Sequence, residues 1–352
     1  MRVVIAGATG NIGTSLVSAL AADPKVASIV GLARRVPDWS PPKTEWRSAD
    51  IARDDLTRHF EGADVVVALS WIFQPTHNPI TTWRVNVLGN TRLFEAAARA
   101  GVHALVYSSS VGAYSPGPKD RMVAEDWPTH GWPTAAYGRE KAYLERYLDS
   151  FERDHPEMRV VRMRPGFIFK RSSATEQRRI FAGPLVPRVL GNSRAIPVFP
   201  DIPGLRFQSL HSEDAGEAFA QAVRLPVAGA FNLAAGPVLD ARRLADLLQA
   251  RLVPVPAALA RAALWAAWHL HLAPASPYLL DLFLRVPLMD TTRARADLEW
   301  SPRHTSVEAI ESFLAGLRAG DDLDTPPLSA GTSGPLRSRE FATGVGQRNS
   351  AE

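Results

Sequence analysis

The amino-acid sequence predicts an α/β fold, a doubly wound parallel sheet joined to a smaller, mostly helical C-terminal substrate lobe. Three observations predict it. Short apolar runs alternate with helical patterns through the first half, as in a βαβ array. A glycine-rich turn follows the first of these runs directly, and beyond Pro165 the alternation gives way to chain rich in Pro, Gly and Arg. The composition, 46% hydrophobic and 22% charged over 352 residues, is enough to bury a large core.

Strands are expected at residues 3–6, 28–32, 45–48, 65–69, 104–108 and 159–164, with helices clearest at 14–22, 82–100 and 135–153. Gly101 supplies the stop after the second of these helices. Residues 205–210, 212–224 and 231–234 read as strand, helix and strand, so the chain revisits its first domain. The expected organisation is a dinucleotide-binding domain at 1–165 with a returning segment at 205–235. A lobe built from 166–204 and 236–319 follows, and a polar, aperiodic tail at 320–352 is expected to be disordered.

Several function classes are excluded. With no cysteine there is neither a disulfide, nor thiolate catalysis, nor a cysteine-ligated zinc site. The excess of basic residues is only four, and no basic run carries interleaved aromatics, so nucleic acid is not an expected partner. No Gly-x-Ser-x-Gly elbow or Walker lysine loop is present. His269 and His271 diverge on a helix, and no metal site is expected. The first apolar run is far shorter than a signal peptide requires, so the chain is expected to start at Met1 and to be cytoplasmic. The apolar stretch around Ala262-Ala-Leu-Trp-Ala-Ala-Trp268 is broken by Pro, Arg and His well before the ~20 residues of a membrane span. Burial in the lobe, burial in a dimer and contact with a membrane surface are its remaining readings.

Two motifs carry chemistry. Gly7, Gly10 and Gly13, with Asn11 and Ile12 between them, sit between the first strand and the first helix. There glycine permits the tight turn, lets backbone N–H groups reach a pyrophosphate, and lets helix pack on strand; this is a Rossmann-type loop. Tyr137 and Lys141 lie one helical turn apart. An adjacent ammonium and a positive nicotinamide both favour phenolate, which would bring the tyrosine into working range as an acid/base. With six tyrosines and five lysines, chance supplies roughly 0.09 such pairs, so the pairing is informative.

The G-x-x-G-x-x-G spacing, the strand end Tyr107-Ser-Ser-Ser-Val-Gly-Ala-Tyr114 and the Tyr-Gly-Arg-Glu-Lys run together resemble the extended short-chain dehydrogenase/reductases, the NAD-dependent epimerase/dehydratase family. The resemblance covers residues 1–235 well, and later residues only through Asp290, Ala294, Leu298, Trp300 and Pro302. It implies Ser110 as the catalytic serine beside Tyr137 and Lys141. It further implies that Asp50, Ile51, Ala68, Leu69, Ser70, Ser108 and Pro165 meet the cofactor, that Asn86 and Asn90 belong to the motif, and that His211 bonds structurally with Asp214. A homodimer through the helices at 82–100 and 135–153 is also implied.

The acidic residue that such proteins place at the end of the second strand is replaced here by Ala33, followed by Arg34 and Arg35. Guanidinium groups suit a 2′-phosphate, so NADP is favoured and NAD stays open. Trp71, Phe73, Tyr114 and Phe167 are expected to wall an apolar or aromatic substrate, while Arg171, Arg178 and Arg179 would suit a phosphate. Phe167-Ile-Phe-Lys170 departs from the asparagine turn of the sugar-nucleotide enzymes, and Ser110-Val-Gly112 lacks the carboxylates of the dehydratases. The expected activity is hydride transfer at a carbonyl or secondary alcohol. A nucleotide-sugar epimerase and a non-catalytic NADP-binding regulator or assembly factor are the alternatives.

Overall fold

The computed structural model describes residues 1–72, 77–183, 196–335 and 338–339. Seven strands form its sheet: β1 (Arg2–Ala6), β2 (Ser28–Ala33), β3 (Thr44–Ser48), β4 (Val65–Ala68), β5 (Ala104–Ser108), β6 (Arg159–Pro165) and β7 (Gly229–Leu233). Their order is β7-β6-β5-β4-β1-β2-β3, every pairing is parallel, and the winding reverses between β1 and β4.

Both faces of the central sheet are covered, which is why β1, β2, β4 and β5 read as apolar runs without alternation, while the edge strand β3 stays partly exposed. Val3 and Ile5 point to one face, where Leu16 and Leu20 of α1 (Asn11–Ala22) meet Phe219 of α4 (Ser212–Arg224). Val4 and Ala6 point to the other, against Leu93 and Phe94 of α2 (residues 79–99) and Leu144 and Leu148 of α3 (Ala136–Asp154). Helix α2 is continuous but widens into a π-type turn over Trp83–Leu88.

The lobe is assembled from separated pieces. Val198–Asp201 pairs with Arg251–Pro254, and Arg206–Phe207 with Leu239–Asp240, beside α5 (Ala241–Leu248), α6 (Ala257–His269) and α7 (Pro277–Phe283). Phe167, Phe207 and Phe283 lock these pieces together, with ring centroids 4.8–5.3 Å apart.

Three expectations change. The 205–210 strand is two short pieces outside the main sheet, the second, Ser209–His211, pairing with Phe167–Phe169. Residues 290–302 belong with the main domain: Ala294, Leu298 and Trp300 are buried in the α1/α4 core, and Trp300 Nε1 donates to Asp214 O at 2.9 Å. The segment after α8 (Ser306–Ala319) is packed where it is described and is not a disordered tail. Leu328 is buried, Thr325 Oγ1 donates to Thr9 O at 2.9 Å, and Arg171 pairs with Asp321. Residues 340–352 lie outside the described part.

Candidate active site

The β1–α1 turn opens at the carboxyl edge of the sheet beside its reversal point, the crevice where ligands of such sheets bind. Gly7 holds φ +86° and donates its N–H to Leu32 O at 3.1 Å. A Cβ on Gly7 would come within 2.7 Å of Ser70 N, so glycine is what lets the Ala68-Leu69-Ser70 turn close over the loop. On Gly13 it would collide with the Gly7 carbonyl. Gly10 differs: its Cβ would find only Gly7 O, at 3.5 Å, and no side chain caps the helix that begins after it. An uncapped helix start behind an open glycine fits a pyrophosphate.

Asn11 is held from two distant segments, its carbonyl accepting from Lys170 Nζ and Ser212 Oγ, both at 2.9 Å, while Ile12 packs on the core. Asn90 Nδ2 donates to Ser70 O at 3.2 Å. At the end of β3, Asp50 Oδ1 accepts from Ala52 N at 2.9 Å, and Ile51 is buried against Gly89. Arg34 and Arg35 emerge exposed after β2. Partial burial and the positive charges of Arg34 and Arg339 lower the pKa of Arg35. Pro165 is buried at the end of β6.

The serines end β5 side by side and each does something different. Ser108 O accepts from Lys141 Nζ at 2.6 Å, Ser109 Oγ donates to Glu145 Oε1 at 2.5 Å, and Ser110 Oγ accepts from Gly112 N at 3.0 Å. Ser110 also hydrogen-bonds Tyr137, which stands in the first turn of α3. Trp71 completes the group: its ring lies edge-on to Tyr137 with centroids 5.7 Å apart, and Lys141 Nζ sits 3.5 Å from its centroid.

Burial raises the Tyr137 pKa to about 12 against the opposing Ser110 hydrogen bond, and burial lowers Lys141 to about 7 despite Glu140 and Glu145. Burial thus works against the positive charge of the lysine expected to acidify the tyrosine, whose Nζ donates to Ser108 O. At neutral pH the polypeptide alone holds a protonated phenol, a proton donor. Gly112 allows the ring its position, since a Cβ there would fall 2.7 Å from Tyr137 Cε1. Gly112→Ala is expected to displace the hydroxyl and lower kcat by about 10²-fold with unchanged dinucleotide affinity; steady-state kinetics beside a dinucleotide titration checks this.

The pocket next to Tyr137 is lined mainly by apolar groups, including Trp71, Ile72, Ile180, Trp268, Pro274 and Leu279. Its acidic member is Glu140, which sequence reasoning passed over because a glutamate on an amphipathic helix reads as a solvated charge. Here it is buried. Its oxygens accept from Thr82 Oγ1 at 2.5 Å and Asn86 Nδ2 at 2.8 Å, and burial raises its pKa. Asn86 in turn clasps the backbone of Ile72 from both sides, so Glu140 holds the turn that carries Trp71.

Of the four expected wall residues, Trp71 lines this pocket. Tyr114 does not: it is buried, and its hydroxyl donates to Asn232 Oδ1 at 2.6 Å and accepts from Arg164. Phe167 is taken up by the Phe207–Phe283 cluster. Phe73 lies outside the described residues. The arginines proposed for a phosphate have protein partners as well: Arg171 pairs with Asp321, Arg178 donates to Gly183 O and Arg179 to Pro327 O.

His211 caps α4 and does not bond Asp214, which accepts from Arg303 N, His304 N and His304 Nδ1. His211, Glu213 and His304 nonetheless gather their ligand atoms within 4.8 Å, with the imidazoles tilted at 32° to each other and centroids 4.1 Å apart.

Residues 3–234 match the model of the NAD dependent epimerase/dehydratase family. An uncharacterised protein of Mycobacterium tuberculosis is 27% identical over 337 residues, covering 89% of this chain and 83% of that protein. The UDP-glucose 4-epimerase of Mycolicibacterium smegmatis is 32% identical over 164 residues, 43% of this chain and 51% of its own length. Among solved structures, the Thermus thermophilus UDP-glucose 4-epimerase complex with NAD superposes with a TM-score of 0.67 at 21% identity, covering 90% of this chain and 99% of that one.

Proposed function

Because the chain belongs to the NAD-dependent epimerase/dehydratase family, we propose that it is a nicotinamide-dependent oxidoreductase acting at the carbonyl or secondary alcohol of an apolar or aromatic substrate. The observation that carries this reading is the pocket beside Tyr137. Its described lining contains no lysine or arginine and includes the buried Glu140, so a diphosphate placed there would meet a carboxylate and no cation. Apolar walls around a few polar groups suit a carbonyl compound instead.

Gly7, Gly10, Gly13 and the first turn of α1 would hold the pyrophosphate, with Asp50 and Ile51 on the adenine side. A bound nicotinamide supplies or accepts the hydride. Tyr137 Oη gives its proton to the carbonyl oxygen in reduction and takes it back in oxidation. Ser110 Oγ polarises the same oxygen, and Lys141 fixes the end of β5 through Ser108 O while lending positive charge.

Arg34 and Arg35, with Arg339 adding positive charge near Arg35 and no acid at the end of β2, support NADP as the cofactor. Arg35→Ala is expected to weaken NADPH about tenfold and leave NADH within about twofold in a fluorescence titration. Equal effects on both would remove the 2′-phosphate contact. Exposed Leu88 on α2 and Tyr143 on α3 support a homodimer through these helices.

The likeness to UDP-glucose 4-epimerases favours a second reading, the nucleotide-sugar epimerase. One screen separates them. With NADP(H), aldehydes, ketones and hydroxysteroids should give net cofactor oxidation or reduction. Isomerisation of UDP-sugars without net redox would establish the epimerase, and silence in both would leave a binding protein.

A further inference from the structure

Beyond residue 240 the fold departs from the sequence reading at two places. Helix α6, apolar over nearly its whole circumference, is not buried in the lobe: none of its residues is buried, and no helix among the described residues is long and apolar enough to cross a membrane. Residues 321–335, expected to belong to a disordered tail, instead lie against the glycine loop.

The attachments of this segment fall into two groups. On the lobe side Asp321 pairs with Arg171, its carbonyl accepts from Thr175 Oγ1 at 3.0 Å, and Pro327 O accepts from Arg179 Nη2 at 2.7 Å. On the domain side Thr325, completely buried, donates its hydroxyl to the carbonyl of Thr9 at 2.9 Å. Thr9 stands between Gly7 and Gly10, so the bond is to the loop itself. Further on, Gly334 at φ +71° leaves room for the stem of Arg339, since a Cβ there would fall 2.8 Å from Arg339 Cγ. Arg339 in turn comes near enough to Arg35, just after β2, for its charge to lower the Arg35 pKa.

In a sheet of this kind the glycine loop and the end of the second strand flank one corner of the ligand crevice. The loop meets the pyrophosphate, and the residues ending the strand meet the adenosine ribose. A segment bonded to the first and reaching the second crosses the adenosine end of a bound dinucleotide. It is also lightly anchored. Of residues 321–335, Thr325, Leu328 and Ser333 are buried and the others are half-buried or exposed; Leu328 is the one large apolar side chain of the three. Much of the remaining bonding is internal: Asp322 Oδ2 accepts from Ala330 N at 2.7 Å, and Thr325 O from Leu328 N at 3.0 Å. A segment closed on itself and seated through so few side chains opens locally at far lower cost than the sheet beneath it.

We propose that residues 321–335 are a strap over the adenosine end of the dinucleotide site, seated by Thr325 and Leu328, which has to lift before the cofactor leaves. The ligand class, a nicotinamide dinucleotide, rests on the function proposed above; the strap sets how long that ligand stays.

Two measurements on the full chain test it. Hydrogen–deuterium exchange across 321–335 should slow by about fivefold or more when NADPH or NADH is added. In stopped-flow displacement, Thr325→Val/Leu328→Ala should release either dinucleotide about tenfold faster than the parent, with association changed less than about threefold and circular dichroism retained. Exchange that stays the same on binding overturns the strap, and so does release from the variant within about twofold of the parent. A parent that binds neither dinucleotide overturns the cofactor reading along with it. The two failures are told apart because, when the strap fails by itself, binding is seen and only the protection or the faster release is missing.

Discussion

Tyr137→Phe is expected to lower turnover by about 10²–10⁴-fold while affinity for the nicotinamide cofactor stays within about twofold. The substitution removes one oxygen from a ring whose packing is otherwise kept, edge-on to Trp71 and against the flat face that Gly112 leaves open. In the proposed reaction, what is lost is the proton that the carbonyl oxygen would take when hydride reaches its carbon. Ser110 Oγ retains the Gly112 N–H at 3.0 Å, so the end of β5 keeps its shape. Kinetics with the best substrate of the screen, set beside a cofactor titration, decides the matter. Turnover within tenfold of the parent would move the acid/base role away from this residue.

The other large effect is on stability. Glu145 is completely buried in α3 and accepts from Ser109 Oγ, from Arg164 Nε and Nη2, each at 2.9 Å, and from Arg162 Nη1. Burial by itself would raise its pKa, but the Arg164 and Ser109 hydrogen bonds and the charges of both arginines overcome that and hold it at about 2. Arg162 has further acids in Asp149 and Glu152, whereas among the described residues the acidic partner of Arg164 is Glu145 alone. Glu145→Ala therefore leaves a buried guanidinium uncompensated, a cost of about 3–5 kcal/mol.

The sign with pH follows from the direction of the shift. A carboxylate whose pKa is lower in the folded chain contributes its full stabilisation above the unfolded value near 4.5, and that contribution fades as pH falls from there toward about 2. Denaturant melts at pH 7 and pH 3 should show the parent losing more stability than the variant between them. Parallel losses would mean that Glu145 carries no differential proton affinity. Since Ser109 stands between Ser108 and Ser110 and bonds Glu145, the same ion network also holds the end of β5 where the proposed catalytic serine stands.

How far the sequence could be read followed from how local the relevant physics is. The central strands of the sheet declare themselves because they are buried on both faces, and the glycine loop does so because its spacing directly after β1 is a local pattern, with Gly13 closing on the Gly7 carbonyl six positions back. Glu140 was opaque for the opposite reason: its partners Thr82 and Asn86 lie more than fifty positions away on another helix, and only the packing of α2 on α3 turns a charge on a helix into a buried acceptor. Tyr114 shows the same limit. An aromatic after the serine strand can face a substrate or the core, and its hydroxyl turned inward because Asn232 and Arg164 were waiting there. The α6 stretch was open between burial and contact with a surface, a choice made by what stands opposite the helix and not by the helix itself.

Long-range anchoring of the first glycine turn bears on the order of assembly. The Asn11 carbonyl is gripped by Lys170 and Ser212, 159 and 201 positions further along the chain. Contacts that close such long loops form slowly. The proposed cradle for a pyrophosphate, written in the first thirteen residues, thus gains its final geometry only once the returning segment has docked beside it. Recovery of dinucleotide affinity during refolding is consequently a clock for the completion of the whole sheet and not for the folding of its first βα unit.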